Sequence, residues 1–175
     1  MTIGDDIGDD IGDKVVTRTV PSPVGPLLLV GDGRRLAGLF MTNQRHHPVI
    51  ESPTEDREAY PDAVAQLGEW FAGARRDFDL VLAPQGSAFQ QQVWNVLRLI
   101  PFGETMTYGE VAAKVGRPGS ARAIGAAVGR NPIGIVVPCH RVVGAAGALT
   151  GYAGGLDRKK WLLDHEKAVG ARTLF

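Results

Sequence analysis

Cysteine is nearly absent from this chain: of 175 residues, only Cys139 carries a thiol. A single cysteine excludes an intramolecular disulfide. It also leaves a structural zinc site short of thiolates, because the donors would have to come mainly from four histidines and the carboxylates. A reducing, cytoplasmic compartment is the expectation for such a chain. Long apolar runs are missing too. None approaches the roughly 20 residues that cross a bilayer, so no membrane contact is expected. The acidic, Gly-rich first residues are unlike a signal peptide. Net charge at pH 7 is zero, so no global electrostatic preference can be read from the total.

The zero hides an asymmetry. Residues 1–13 hold five Asp and no base, and residues 14–90 are close to balanced. Residues 91–175 hold eleven basic side chains against five acidic ones. The basic half contains Cys139. That points to an anionic partner, nucleic acid among the candidates; a solvated basic face is the plainer alternative.

Residues 1–13 repeat Gly-Asp-Asp-Ile and read as a disordered acidic tail. Strands are expected over Lys14 to Val20, Pro26 to Val30 and Leu36 to Phe40, with Asp32-Gly33 as a hairpin turn. Gln44 to Tyr60 reads as a loop. Pro61 opens a helix carrying Val64, Leu67, Trp70 and Phe71, and Gly73 closes it. Phe78 to Leu82 reads as a further strand. Ser87 caps a helix with Phe89, Val93, Val96, Leu97 and Ile100 on one face, and Pro101 ends it.

Thr107-Tyr108-Gly109-Glu110 is a capping box, so a helix starts at Tyr108 and runs to about Val115. Gly116-Arg117-Pro118-Gly119 makes a tight turn, and Ser120 caps a second short helix. Two short helices around a Gly-containing turn form a helix-turn-helix candidate. Arg122, Gly125, Ala126 and Gly129 share one stripe of the second helix, while Ile124, Ala127 and Val128 share another. A helix that reads bases in the major groove usually carries several Asn, Gln, Arg or Lys. This one offers Arg122 and little else. The bare stripe suits close approach to a sugar–phosphate surface with little sequence preference, or tight packing against another helix.

Asn131-Pro132 ends that helix, and Ile133 to Val137 reads as a buried strand leading into Pro138-Cys139-His140-Arg141. A lone thiol beside a histidine suggests a nucleophile. Neighbouring side chains of a strand point to opposite faces. So either the chain turns at Pro138, or His140 reaches the thiol indirectly, for instance through a water. A thiol near neutral pH also needs a base held by a carboxylate. Glu166, on a final helix opening near Asp157 and packing through Trp161, Leu162 and His165, is the best candidate. Taken singly, Cys139 could be an inert buried thiol, His140 a structural histidine and Glu166 a solvated helix-end carboxylate.

Taken together, the segments point further. Phe89-Gln90-Gln91-Gln92-Val93-Trp94, Ile100 to Thr105, Tyr108-Gly109-Glu110, Ala121-Arg122-Ala123-Ile124-Gly125, Asn131-Pro132, Ile135 to Val143, Gly147 to Tyr152 and Trp161 to Glu166 resemble the O6-alkylguanine-DNA alkyltransferase family. The likeness is dense over residues 86–167 and weaker over 14–82, where the hairpin beginning at Ser22-Pro23-Val24-Gly25-Pro26-Leu27 carries it. The resemblance implies an α/β N-terminal subdomain with a ribonuclease-H-like sheet over 14–83. Over 84–175 it implies a mainly α-helical subdomain with a winged-helix-like helix-turn-helix for DNA binding and alkyl transfer.

It also implies direct reversal of DNA alkylation. A methyl or larger alkyl group passes from O6 of guanine to Cys139, irreversibly and once per molecule, with weaker action on O4-methylthymine left open. His140 and Glu166 match the activating pair, working through a water. Asn131 matches the tie between the helix-turn-helix and the active-site loop. Tyr108 matches the residue that helps rotate the nucleotide out and stabilises the departing guanine. Tyr152 matches a pocket wall, and the Cys139 carbonyl and Val142 backbone match the readers of the guanine edge. Arg122 matches the side chain that enters the vacated base stack. Gly125, Ala126, Arg117 and Arg130 are the further DNA-contacting candidates. The implied partner is double-stranded DNA containing O6-alkylguanine, bound in the minor groove with little sequence dependence. The implied free form is a monomer, with cooperative assembly on DNA left open.

Two departures stand out. Ala153 occupies a position where some members carry a serine near O6, so altered pocket tolerance is expected, with the backbone N–H still able to donate. Some members hold zinc in the N-terminal domain; with no cysteine in residues 1–90, neither a metal nor a cofactor is expected. Two rivals remain from other classes: a DNA-binding damage sensor with an unreactive Cys139, and a cysteine hydrolase using Cys139, His140 and Glu166.

Overall fold

The short apolar runs between residues 16 and 41 become strands. The computed structural model describes residues 14–172; the expected acidic tail lies outside them. The chain divides into two units between Gln85 and Gly86. In the first, β1 (Val16–Val20), β2 (Leu27–Gly31) and β3 (Leu36–Met41) pair antiparallel. The Asp32 carboxylate accepts the Arg34 and Arg35 backbone N–H groups at 2.9 and 2.7 Å, which closes the β2–β3 turn. Leu27, Leu29 and Leu39 are buried on this sheet, each contributing roughly 1.5–3 kcal/mol by leaving water.

Two expectations change here. The polar stretch 44–60 holds a short strand, β4 (Thr54–Glu55), which pairs parallel with β1 and completes the order β3-β2-β1-β4. Two residues are too few for periodicity to reveal. Phe78 to Leu82 is not a strand: it contributes a single parallel bridge, Leu82 to Leu36. Helix α1 (Pro61–Phe71) follows, with Ala63, Leu67 and Trp70 buried. Tyr60, in a left-handed conformation at its start, donates its hydroxyl to the Val16 carbonyl at 2.6 Å and so pins the helix to β1.

The second unit opens with α2 (Ala88–Leu97). Ser87 and Gln90 form a reciprocal capping box there, so two orphan amides are satisfied. The helix stops at Leu97, before Pro101, and Ile100 is buried beyond its end. Trp94 donates its indole N–H to the Ala127 carbonyl at 2.9 Å. This ties α2 to the helix-turn-helix formed by α3 (Tyr108–Lys114) and α4 (Ala121–Gly129). The turn between them uses Gly116 and Gly119 at φ +80° and +83°, a region costly for residues with a Cβ. Thr107 and Glu110 form the expected capping box. Ser120 holds the N-cap position of α4 but makes no capping bond, because its backbone (φ −95°, ψ 30°) is not extended.

The greatest departure is Ile133 to Val137. The segment is largely buried, as expected, but it coils through turns and is not a strand. Val136 N–H reaches Gly134 O, Val137 N–H reaches Ile133 O, and Ile135 sits at φ 69°. A 3-10 turn (Cys139–Arg141) follows, then β6 (Val142–Val143), which pairs parallel with β5 (Met106–Thr107). A second 3-10 turn (Ala145–Gly147) and α5 (Leu156–Arg172) complete the unit. α5 packs through Lys159, Leu162, Leu163, Glu166 and Val169. Trp161 and His165, expected in the packing face, are half-buried and stack on each other at 5.1 Å.

Candidate active site

The turn that carries Cys139 is built by Asn131. Its side-chain amide donates to the Val137 carbonyl at 2.8 Å, and its side-chain oxygen accepts the Ile133 N–H at 3.0 Å. One buried side chain thereby brackets the whole coil between α4 and the cysteine. Pro138 then folds the chain back at φ −82°, ψ 64°, with Cys139 N–H on the Val137 carbonyl at 2.8 Å. These are inverse γ-turn values. Of the two routes open to the sequence, the chain does turn at Pro138.

His140 is fully buried, and its Nε2 lies 2.9 Å from Glu166 Oε1. Glu166 is equally buried. It also accepts the Arg141 guanidinium, Nη2 to Oε1 at 2.7 Å and Nε to Oε2 at 3.1 Å, and the Gly103 N–H at 3.0 Å. Burial alone would push this carboxyl up. The hydrogen bonds and charges of His140 and Arg141 overcome that and hold it at about 2. An ionised carboxylate only accepts, so His140 Nε2 is the protonated nitrogen and Nδ1 carries the lone pair. Burial pushes the His140 pKa down despite Glu166, which keeps the ring neutral.

The Cys139 thiol is buried, and burial raises its pKa. The Asn131 side chain, the charge of Lys159 and the backbone N–H groups of residues 139 and 140 counteract this only in part. The resting thiol is therefore protonated, and its ionisation requires a base.

The β5–β6 ladder sets Thr107 against Val143 and so brings Tyr108, the next residue, beside this loop. The Tyr108 hydroxyl donates to the Thr150 carbonyl at 3.2 Å, and burial raises its pKa. Tyr152 is half-buried, with its phenol pushed well up by burial and by Cys139. Ala153 follows it, half-buried as well. Val142 is fully buried; its N–H donates to the Cys139 carbonyl.

On α4, Arg122 and Ala126 are exposed, while Gly125 and Gly129 are half-buried. A Cβ on Gly125 would lie 3.8 Å from the Tyr108 ring, an ordinary van der Waals contact, so the helix backbone and the ring sit side by side. Arg117 and Arg130 are exposed, the first with its guanidinium 5.0 Å over the Phe89 ring. Cys139, His140, Glu166, Asn131, Tyr108, Tyr152 and Val142 thus gather around one loop, and the arginines lie on the surrounding surface. Two residues to which the sequence assigned no role of their own also belong to this cluster. Arg141 pairs with Glu166 and also donates to the Ile100 carbonyl at 2.6 Å. Lys159 is completely buried. Its place in the apolar-facing register of α5, beside Leu162 and Leu163, was the available signal.

Both units match known domain families. The model for the 6-O-methylguanine DNA methyltransferase ribonuclease-like domain matches residues 15–84, and that for the DNA binding domain of the same proteins matches residues 88–168. The methylated-DNA–protein-cysteine methyltransferase of Mycolicibacterium paratuberculosis is 53% identical over 160 residues, covering 90% of this chain and 97% of that protein. Its namesake from Methanosarcina acetivorans is 51% identical over 146 residues, covering 83% and 94%. The structure of Mycobacterium tuberculosis OGT in complex with DNA matches with a TM-score of 0.86 and 51% identity, over 88% of this chain and 94% of that one. A sheet domain followed by a helical DNA-binding domain is the architecture these proteins share. The chain belongs to the 6-O-methylguanine DNA methyltransferase family.

Proposed function

We propose that this protein repairs alkylated DNA by taking the alkyl group from O6 of guanine onto Cys139, irreversibly and once per molecule. Family membership makes it a methyltransferase that acts on methylated DNA with a protein cysteine as acceptor. The observation that carries the assignment to Cys139 is the fully buried His140–Glu166 hydrogen bond adjoining the chain's sole cysteine.

The bonds balance as follows. The sulfur pair attacks the O6-bound carbon, an S–C bond forms, the C–O6 bond breaks, and its electron pair stays on the guanine. The thiol proton leaves through a water to His140 Nδ1, since Nε2 is occupied by Glu166. Guanine is a poor anionic leaving group, and the Tyr108 phenol, kept protonated by burial, supplies a proton to it.

The reactive carbon is hidden inside a duplex, so the nucleotide must rotate out. Arg122, exposed on the small-residue stripe of α4, fills the vacated stack, and the stripe permits close minor-groove approach. Gly125 and Ala126 form the approach surface, and Arg117 and Arg130 bind phosphates. Recognition is therefore largely independent of sequence. Tyr152 and Ala153 wall the pocket. The protein works as a monomer in the cytoplasm, where its thiol stays reduced.

Intact-protein mass spectrometry after mixing with excess duplex carrying one O6-methylguanine tests this. One methyl adduct on Cys139, equal to repaired base and without turnover, is the expected result. Binding with no change in mass would overturn the acceptor role.

A further inference from the structure

Arg158 stands beside the pocket and takes no part in the exchange of bonds at Cys139. It lies in the first turn of α5 and is half-buried. Successive residues of a helix project about 100° apart. Its neighbour Lys159 accordingly turns inward, with Nζ on the carbonyls of Val142, Thr150 and Gly151. Arg158 instead reaches back over the loop that precedes the helix. Its Nη1 donates to the Gly154 carbonyl at 3.2 Å. Gly154 belongs to a turn that the Gly155 N–H closes on the Tyr152 carbonyl at 3.0 Å. That turn carries Tyr152 and Ala153, the wall of the pocket. The guanidinium fork thus sits against the wall, and it has more donors than one carbonyl can take.

The charge of Arg158 is felt inside the pocket. Burial and then Cys139 push the Tyr152 phenol up, and Arg158 pulls it back. The same phenol is hydrogen-bonded to the Cys139 side chain, so the field of the guanidinium reaches the neighbourhood of the sulfur. The wall also leaves room. A Cβ on Gly151 or Gly155 would meet no heavy atom within 4 Å beyond its chain neighbours, and Ala153 adds a single methyl group. An alkyl group longer than methyl can therefore extend from the sulfur along residues 152–154 toward Arg158. Were that group to end in a carboxylate, two costs would arise. Burying an unpartnered carboxylate is strongly unfavourable, and a second anion disfavours the Cys139 thiolate. A cation at the wall offsets both.

We propose that Arg158 is a specificity-determining residue that admits O6-alkyl groups ending in a carboxylate, the carboxymethyl group being the smallest of them. The sulfur pair bonds to the methylene carbon, the C–O6 bond breaks, and its electron pair stays on the guanine, which takes its proton from Tyr108. The carboxylate passes unchanged onto the sulfur and pairs with the guanidinium at the wall. The inference rests on Cys139 being the acceptor.

The test uses the full chain and duplexes carrying O6-carboxymethylguanine, its neutral isostere O6-carbamoylmethylguanine, or O6-methylguanine. Single-turnover transfer at saturating duplex is followed for the wild type, Arg158→Gln and Arg158→Lys, with melting curves to show that each variant is folded. The wild type should place the carboxymethyl group on Cys139, as intact-protein mass spectrometry would show. Arg158→Gln, which keeps amide donors without charge, should lower the ratio of carboxymethyl to carbamoylmethyl rates at least about tenfold, the worth of one charge-assisted hydrogen bond. Arg158→Lys keeps the charge and should hold more of that ratio than the glutamine. A ratio unmoved in the folded glutamine variant overturns the proposal. So does a uniform loss of duplex affinity for all the lesions with the ratio unmoved, which would make Arg158 a phosphate contact. Wild-type transfer of methyl without carboxymethyl overturns it as well and leaves the acceptor assignment standing. Absence of methyl transfer in the wild-type protein would instead overturn the acceptor assignment.

Discussion

At the scale of single residues, Glu166 carries the heaviest electrostatic load. It serves His140, Arg141 and Gly103 at once, so its removal acts on chemistry and stability together. Glu166→Gln should slow single-turnover transfer by on the order of 10²-fold or more, the usual worth of general base catalysis. It should also lower stability by roughly 3–5 kcal/mol, because the Arg141 charge is left buried without its partner. Quench-flow transfer and urea unfolding read the two effects separately. Tyr108→Phe differs: the ring stays against Gly125 while the proton donor is lost. Transfer should fall on the order of 10²-fold with duplex affinity nearly unchanged. A Tyr108→Phe rate equal to wild type would remove the phenol from the mechanism.

At the scale of elements, the coil between α4 and Cys139 depends on one side chain. Asn131 makes two buried backbone hydrogen bonds there, and each unsatisfied group left behind costs about 1–3 kcal/mol. Asn131→Ala should therefore lower the melting temperature by several degrees, as calorimetry would show. It should also slow transfer even at temperatures where the protein remains folded, because the coil sets where the sulfur sits. The helix-turn-helix supplies a second element-level expectation. If Arg117 and Arg130 contact phosphates, replacing either with Ala should reduce the slope of log affinity against log salt by about 0.9. Arg122→Ala should impair transfer from duplex DNA far more than from the free alkylated base. A salt titration of duplex binding and a comparison of the two substrates check these outcomes.

At the scale of the whole molecule, the buried pair makes stability depend on pH. The Glu166 pKa falls from an unfolded value near 4.3 to about 2 in the fold. Its contribution, on the order of 3 kcal/mol, is present above the unfolded value and lost as pH falls toward 2. The His140 pKa is also lowered in the fold, so the unfolded chain binds the extra proton first. That contribution is complete above about pH 6.5 and declines as pH falls below it. Both act in the same direction. Urea unfolding free energies should decrease as pH falls below about 6.5 and fall further between about pH 4.3 and 2, and Glu166→Gln should flatten the second part. A flat wild-type profile would show that neither group titrates as its burial requires.

What the sequence by itself determined was whatever local rules govern. The hairpin of β2 and β3 was readable from Asp32-Gly33. The Thr107–Glu110 box announced α3, and Ser87 announced α2. The period of Ile124, Ala127 and Val128 placed the inner face of α4. The cysteine was legible as a nucleophile candidate from its solitude and its histidine neighbour, and Glu166 from the need of a base for an orienting carboxylate. Tertiary structure decided what depends on partners distant in the chain. Ile133 to Val137 carries a strand's composition, yet Asn131 and a left-handed Ile135 coil it, since hydrogen bonds from outside the segment outweigh its β propensity. The two-residue ladder of β5 and β6 is too short to leave a pattern, although it delivers Tyr108 to the thiol. The partners of Arg141 and Lys159 were not legible, because only a folded chain can surround a charge with a carboxylate 25 residues away or with three carbonyls. Burying a charge is a cost borne by the whole fold, and no local stretch of sequence records it.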